Sequence, residues 1–376
     1  MELDFLETPC LLLERATLER NAARFLEIAR GHGVALRPHL KTAKSVEVAR
    51  RVTDAAAGAP ITVSTLAEAE HFAAAGFTDI LYAVGMAPNK LPRAAKILRD
   101  RDVALTLVTD NATMAEAAAA FAEDQDQELA FLIEIDCGDR RAGVEPESDA
   151  LLAVAEVLGA APKIRLRGVM THAGQSYGTN DPAEIAEIAE TERAAVATAA
   201  GRLRAAGHAA EVVSVGSTPT VAFARDLTGV TEVRCGVHVF FDLDQLGRGV
   251  CAPEDLALSV LASVIGHNRA AGTILIDAGG LALSKDLGAN AFLPDAGFGY
   301  VCDAAGERLE GLSVIGVSQE HGRIQVPDPA WYERLPVGSQ VRVLPNHACF
   351  TAAAYPAYHV LEDGKAAAVW PRVNHW

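Results

Sequence analysis

Between residue 14 and about residue 245 the chain alternates eight short apolar runs with stretches that carry apolar residues at helical spacing. The runs are Ala35–Lys41, Ile61–Thr65, Asp79–Val84, Ala104–Thr109, Leu129–Asp136, Leu166–His172, Glu211–Gly216 and Thr231–Val239. Ser45–Ala57, Leu66–Ala75, Asp149–Leu158 and Ala183–Ala206 read as helices among them. Eight strand-then-helix units in this length are the count that closes a (β/α)8 barrel. A doubly wound open sheet is the alternative, but no GxGxxG follows the first strand.

After Cys251 the pattern changes to Leu256–His267, Ala271–Ala278, Leu312–Val317 and Gln340–Leu344, strand-like runs separated by Gly, Pro and Asp turns. The expected fold is therefore α/β: a (β/α)8 TIM-type barrel over residues 14–250 and a second, mainly β domain over 251–376. Residues 1–13 are expected to join that second domain through a strand at Thr8–Leu13.

The first run ends in Arg37-Pro-His-Leu-Lys-Thr42. Read as a strand from Val34, it places Ala35, Arg37, His39 and Lys41 on one face. A buried face bearing three basic groups is costly unless they are paired or do chemistry. The net charge of −16 disfavours nucleic acid and anionic membranes as partners. An anionic ligand would need a locally positive pocket, which Arg37 with Lys41 would supply. The chain has no run of 18 uncharged apolar residues, and MELDFLETPC lacks a basic leader before an apolar core. Its six cysteines have no CxxC spacing, which suits a reducing cytoplasm.

Polar residues collect where barrel strands end, the rim that carries chemistry in such folds. They are His39 and Lys41, Ser64 and Thr65, Thr109 and Asp110, Asp136 followed by Arg140-Arg-Ala-Gly143, Thr171-His-Ala-Gly-Gln-Ser-Tyr177, and Gly216-Ser-Thr-Pro-Thr220. Gly216, Ser217 and Thr218 open a helix after a strand, which makes an anion cradle for a phosphate; an ordinary helix cap fits the segment equally well. Gly236, after the eighth run, would close the same cradle. In Leu344-Pro-Asn-His-Ala-Cys-Phe-Thr351, an extended segment would point His347 and Cys349 the same way, a donor pair suited to Zn²⁺. A buried cysteine beside a satisfied histidine explains the same pair without a metal. Glu320-His321 lies in a turn of the same domain and would offer that pair an outer partner.

Taken in order, TPCLLLERATLERNAAR, RPHLKTAKS, VSTLAEAE, DILYAV, THAGQSY, VSVGSTPT, VTEVRCGVHVFFD, SQEHG and LPNHACFTA resemble the fold-type III pyridoxal-phosphate enzymes. The likeness is to the D-serine dehydratase and D-threonine aldolase branch related to alanine racemase, and within it to the bacterial 3-hydroxyaspartate dehydratases. The resemblance implies that Lys41 holds pyridoxal 5'-phosphate covalently and, once freed, removes the Cα proton. It implies Arg141 near the cofactor's phenolic oxygen, His172 on the pyridine ring and Tyr177 near the ring nitrogen. Gly216, Ser217, Thr218 and Gly236 would hold the phosphate. His238 departs from the pattern, since relatives usually carry Tyr there.

By the same resemblance, His347 and Cys349 would bind Zn²⁺ or another divalent cation such as Mn²⁺ or Mg²⁺. Dehydratases of the branch carry His-x-Cys and the aldolases typically His-x-Asp. The expected activity is loss of water from a β-hydroxy amino acid, 3-hydroxyaspartate or D-serine, giving oxaloacetate or pyruvate and ammonia. An aldolase releasing glycine and an aldehyde is the alternative. A non-catalytic pyridoxal-phosphate carrier would end near residue 245 and lack the HAC motif. The resemblance also implies a homodimer.

Overall fold

The computed structural model describes residues 2–54 and 58–376. They divide into two compact units, Ala23–Gly236 with Val373–Trp376, and Met1–Ala22 with Val237–Arg372. The division thus falls at 236/237, ahead of the 250/251 expected, and the first 22 residues group with the C-terminal unit.

The first unit is an eight-stranded parallel sheet: Ala35–Leu36, Ile61–Val63, Asp79–Gly85, Ala104–Thr109, Leu129–Ile135, Ile164–Thr171, Val212–Val215 and Glu232–Val233. Ala35–Leu36 pairs with Glu232–Val233, which brings the first strand beside the last. The ring closes through a single bridge between His39 and Thr62, in which Thr62 N–H donates to Pro38 O at 3.0 Å and Leu40 N–H donates to Thr62 O at 2.8 Å. All eight expected runs contribute a strand.

The first strand is much shorter than the expected Ala35–Lys41. The strand is assigned only to Leu36, although Arg37 and His39 still donate their N–H groups to Val233 O and Cys235 O, each at 2.9 Å; Pro38 between them has no N–H to give. Lys41 stands in a turn, and strand alternation does not set its direction. The expected helix Ser45–Ala57 is observed as Val46–Val52; residues 55–57 of that expectation lie outside the described residues. The long helix Pro182–Ala205 buries a stripe of Ile185, Ala189, Val196, Ala199 and Leu203 with one acid among them, Glu192.

The second unit is a nine-stranded sheet of mostly antiparallel pairs. Cys10–Glu14, close to the expected Thr8–Leu13, pairs antiparallel with Leu258–Asn268 and parallel with Ala357–Glu362. Four of its strands have no counterpart in the expected runs: Tyr300–Asp303, Gly322–Gln325, Ala357–Glu362 and Lys365–Pro371. Leu11, Leu12, Leu13, Val260, Leu261 and Val343 fill its core. Among the described residues no helix is long and apolar enough to cross a membrane, and none of the six cysteines is in a disulfide.

Candidate active site

The turn after the first strand carries His39 and Lys41. Lys41 N–H reaches Nδ1 of His39 at 3.4 Å. Desolvation, with the Lys41 ammonium and Arg234 beside it, holds the His39 imidazole well below its usual range. Lys44, the other lysine of the motif, precedes the helix rather than belonging to it. Its ammonium lies 3.1 Å from the buried Glu68 carboxylate, so it is consumed by an ion pair. Ser64 and Thr65 are consumed as well: Ser64 O–H donates to Glu68, and Thr65 caps the helix Leu66–Ala74 by accepting Glu68 N–H.

Arg37 does not contribute to a positive pocket. It is buried, with Nε 2.8 Å from Glu232 and Nη1 2.9 Å from Asp79, and these carboxylates neutralise it. The positive charge near Lys41 comes instead from Arg141 and Arg234, whose charges join that of Lys41 in disfavouring protonation of His172. Arg234 is buried, donates to Ser214 Oγ at 2.6 Å and also donates to the carbonyl of Thr171. Sequence reasoning passed over it.

The sixth strand delivers His172. Its Nδ1 lies 2.7 Å from the carbonyl oxygen of Gly216 at the end of the seventh. A carbonyl only accepts, so Nδ1 carries the proton and Nε2 keeps its lone pair. Desolvation first, and the Lys41 charge second, push its pKa down to about 3. Tyr177, in the turn Gly174–Gly178, lies with its ring centroid 6.3 Å from that of His172. Arg141 sits on a loop shaped by two carboxylates: Asp136 accepts the N–H groups of Gly138 and Arg140, and Asp110 accepts that of Gly143. Its guanidinium is 3.7 Å from Glu134 and 3.9 Å from Asp139.

Gly216, Ser217 and Thr218 open a short helix after the seventh strand. Gly216 adopts φ +148°, and a Cβ there would stand 2.6 Å from Arg234 N. Ser217 caps the helix Thr218–Phe223 in a reciprocal capping box with Thr220. Thr218 Oγ1 is buried with no hydrogen-bond partner, a donor waiting for an acceptor. A Cβ on Gly236 would come 2.7 Å from His39 O, so only glycine lets these loops approach. Behind the cradle, Oε1 of Glu192 accepts the N–H groups of Ala173 and Gly216, each at 3.0 Å. Burial raises its pKa. Sequence reasoning missed this residue, although a lone acid at an apolar position of the helix stripe was a visible signal.

In the second unit, His347 is the last extended residue before the helix Ala348–Ala353. Cys349 is helical, so the expected extended His-x-Cys is not what joins the pair. They meet through the helix start, with the thiol within hydrogen-bonding reach of the ring. Desolvation opposes a charged His347 ring, but Asp286 and Cys349 outweigh it and hold its pKa well above the usual value. The outer partner is Asp286, with Oδ2 2.7 Å from His347 Nδ1, in place of the expected Glu320-His321. Buried Asp242 accepts the Ala348 N–H at 2.8 Å between the two candidate ligands. His238, the departure from the pattern, is buried in the turn Val237–Val239.

Comparison with known proteins agrees with this architecture. Residues 13–244 match the model of the alanine racemase N-terminal domain, and residues 257–361 match the "Putative serine dehydratase domain". D-threo-3-hydroxyaspartate dehydratase of Delftia sp. (strain HT23) is 47% identical over 99% of this chain and 98% of that protein. D-serine dehydratase of Dictyostelium discoideum is 30% identical over 100% of this chain and 98% of that protein. Among solved structures, a cysteine-to-alanine mutant of D-threo-3-hydroxyaspartate dehydratase in the metal-free form superposes with a TM-score of 0.96 at 46% identity, covering 100% of both chains. The chain therefore belongs to the alanine racemase-like, fold-type III pyridoxal-phosphate enzymes, in their serine dehydratase branch.

Proposed function

We propose that this chain is a lyase that removes water from a β-hydroxy amino acid, 3-hydroxyaspartate or D-serine, to give oxaloacetate or pyruvate and ammonia. The observation that supports it most is the His347–Cys349 pair held by Asp286, in a chain 47% identical to a D-threo-3-hydroxyaspartate dehydratase. The residues present suit pyridoxal 5'-phosphate: an orphaned Thr218 hydroxyl, two glycines without room for a side chain, and a nearby lysine whose charge His39 and His172 both feel. The cofactor supplies a sink for the electron pair left at Cα.

In this reading Lys41 Nζ would hold the cofactor and, once freed, would take the Cα proton. Gly216, Ser217, Thr218 and Gly236 would hold its phosphate. His172, with its neutral ring, Tyr177 and Arg141 would hold and orient its ring system. His347 and Cys349 would hold Zn²⁺, or a cation such as Mn²⁺ or Mg²⁺, where its Lewis acidity would assist departure of the β-hydroxyl. Among the described residues no group of three or more His, Cys, Asp or Glu is arranged for a metal. Two protein ligands would leave positions for water or substrate, as a catalytic site needs and a structural one does not.

We further place the protein in the cytoplasm as a homodimer acting on small amino acids; light scattering on the eluted protein tests the assembly. The activity is tested by incubating D-serine, D-threonine and each 3-hydroxyaspartate stereoisomer with and without chelator. Chelator-sensitive release of 2-oxo acid and ammonia supports the proposal. Release of glycine with an aldehyde or glyoxylate would make the chain an aldolase.

A further inference from the structure

We propose that Asp286 is a positioning residue for the metal, fixing the tautomer and ring plane of His347 so that Nε2 is the atom offered to the cation. The inference rests on the reading of His347 and Cys349 as ligands and adds a residue to it. Oδ2 of Asp286 is 2.7 Å from Nδ1 of His347. An ionised carboxylate only accepts, so Nδ1 keeps its proton, and Nε2 is the nitrogen whose proton a cation would displace. With Nδ1 taken, Nε2 is the nitrogen left for the neighbouring thiol and for whatever the pair binds.

The loop that carries Asp286 is built around this contact. Its other carboxylate oxygen accepts Gly288 N–H at 2.7 Å, and its backbone carbonyl accepts Nδ2 of Asn346 at 2.9 Å. Asn346 is the residue before His347, so the loop is tied to the ligand segment by backbone as well as side chain. Asn346 also donates to Gly297 O at 2.8 Å. Ser284 enters the loop at φ +68°, a left-handed conformation that non-glycine residues rarely hold, and its hydroxyl accepts Asp286 N–H at 3.2 Å. Such a backbone persists only where its surroundings over-determine it. An incidental surface ion pair needs none of these supports. From the other side, Asp242 accepts the N–H groups of Ala348 and Gln245, fixing the peptide between the two ligands.

A carboxylate on the remote nitrogen of a metal-bound imidazole orients the ring and raises its basicity, and losing one typically weakens metal binding 10- to 100-fold. The test uses cofactor-loaded protein stripped of metal, titrated with Zn²⁺ against a competing fluorescent chelator. Asp286→Ala and Asp286→Asn are compared with wild type, His347→Ala and Cys349→Ala. Imidazole ¹⁵N shifts report the tautomer in parallel. The expected result is at least tenfold weaker Zn²⁺ binding in both Asp286 variants, with unchanged cofactor absorbance, and loss of the fixed Nδ1–H tautomer in Asp286→Ala. Should Asp286→Ala fail to fold, Asp286→Asn decides, since it keeps the loop volume and one acceptor. Zn²⁺ binding within twofold of wild type in the Asp286 variants, with His347→Ala defective, overturns the inference alone. Wild-type binding by His347→Ala and Cys349→Ala would instead show that the ligand assignment had failed, and the inference with it.

Discussion

Nδ1 of His172 and the carbonyl oxygen of Gly216, 2.7 Å apart, join the loop after the sixth barrel strand to the loop after the seventh. This bond fixes the neutral tautomer, and burial with the Lys41 charge, which pushes the pKa down to about 3, keeps the ring neutral near pH 7. In cofactor-free protein the His172 ring signals should show no titration between pH 5 and 9. An unfolded imidazole takes a proton near pH 6.5 that the folded one refuses until about 3. This group therefore costs stability progressively as pH falls from about 6.5 to 3. NMR of selectively labelled histidine checks the first point, and a midpoint above pH 6 would contradict it.

Lys41→Ala should leave no covalent cofactor and reduce turnover by two to four orders of magnitude, as expected for a lost general base. Borohydride reduction of wild type followed by peptide mapping should place the label on residue 41. A label on Lys44 would contradict the pairing of that side chain with Glu68.

Cys349→Ala should lose dehydration while keeping the cofactor's visible absorbance, because the thiol lies in a different compact unit from Lys41. Chelator should reproduce the effect in wild type, and added Zn²⁺ should reverse it there but not in the variant. Full turnover by metal-free Cys349→Ala protein would remove the metal from the mechanism.

Gly216→Ala would put a methyl 2.6 Å from Arg234 N at φ +148°. Strain of about 1–3 kcal/mol should appear as a lowered melting temperature. Cofactor affinity, followed by absorbance titration, should fall with it.

Glu192→Ala would orphan the buried N–H groups of Ala173 and Gly216, at about 1–3 kcal/mol each. Denaturant unfolding should show most of that loss, and cofactor should bind more weakly. Glu192→Gln keeps an acceptor and should lose less of both. Equal behaviour of the two variants would mean that the acceptor is not what matters.

Much of the barrel was legible because apolar runs of five to nine residues between amphipathic helices have few other folds available. Ala104–Thr109 and Gln340–Leu344 are observed with the bounds expected. The reading failed at the end of the first run, where the chain leaves regular strand pairing after His39 and Lys41 stands in a turn. It also failed where strands are short and half polar, as in Gly322–Gln325, whose Arg323 and Gln325 face outward. The strand-to-helix turn at Gly216-Ser-Thr218 was readable from glycine and hydroxyl spacing. Asp286 was not, because turn chemistry in Ser284-Lys-Asp-Leu-Gly288 predicts a bend without naming what the bend will touch.

The bridge between His39 and Thr62 has one further implication. Other neighbouring staves of the cylinder are zipped by ladders of two to seven paired residues, but here the wall is fastened by one stitch, two positions before Lys41. Two backbone hydrogen bonds, Thr62 N–H to Pro38 O and Leu40 N–H to Thr62 O, make that closure, so the turn bearing Lys41 is anchored at the seam itself.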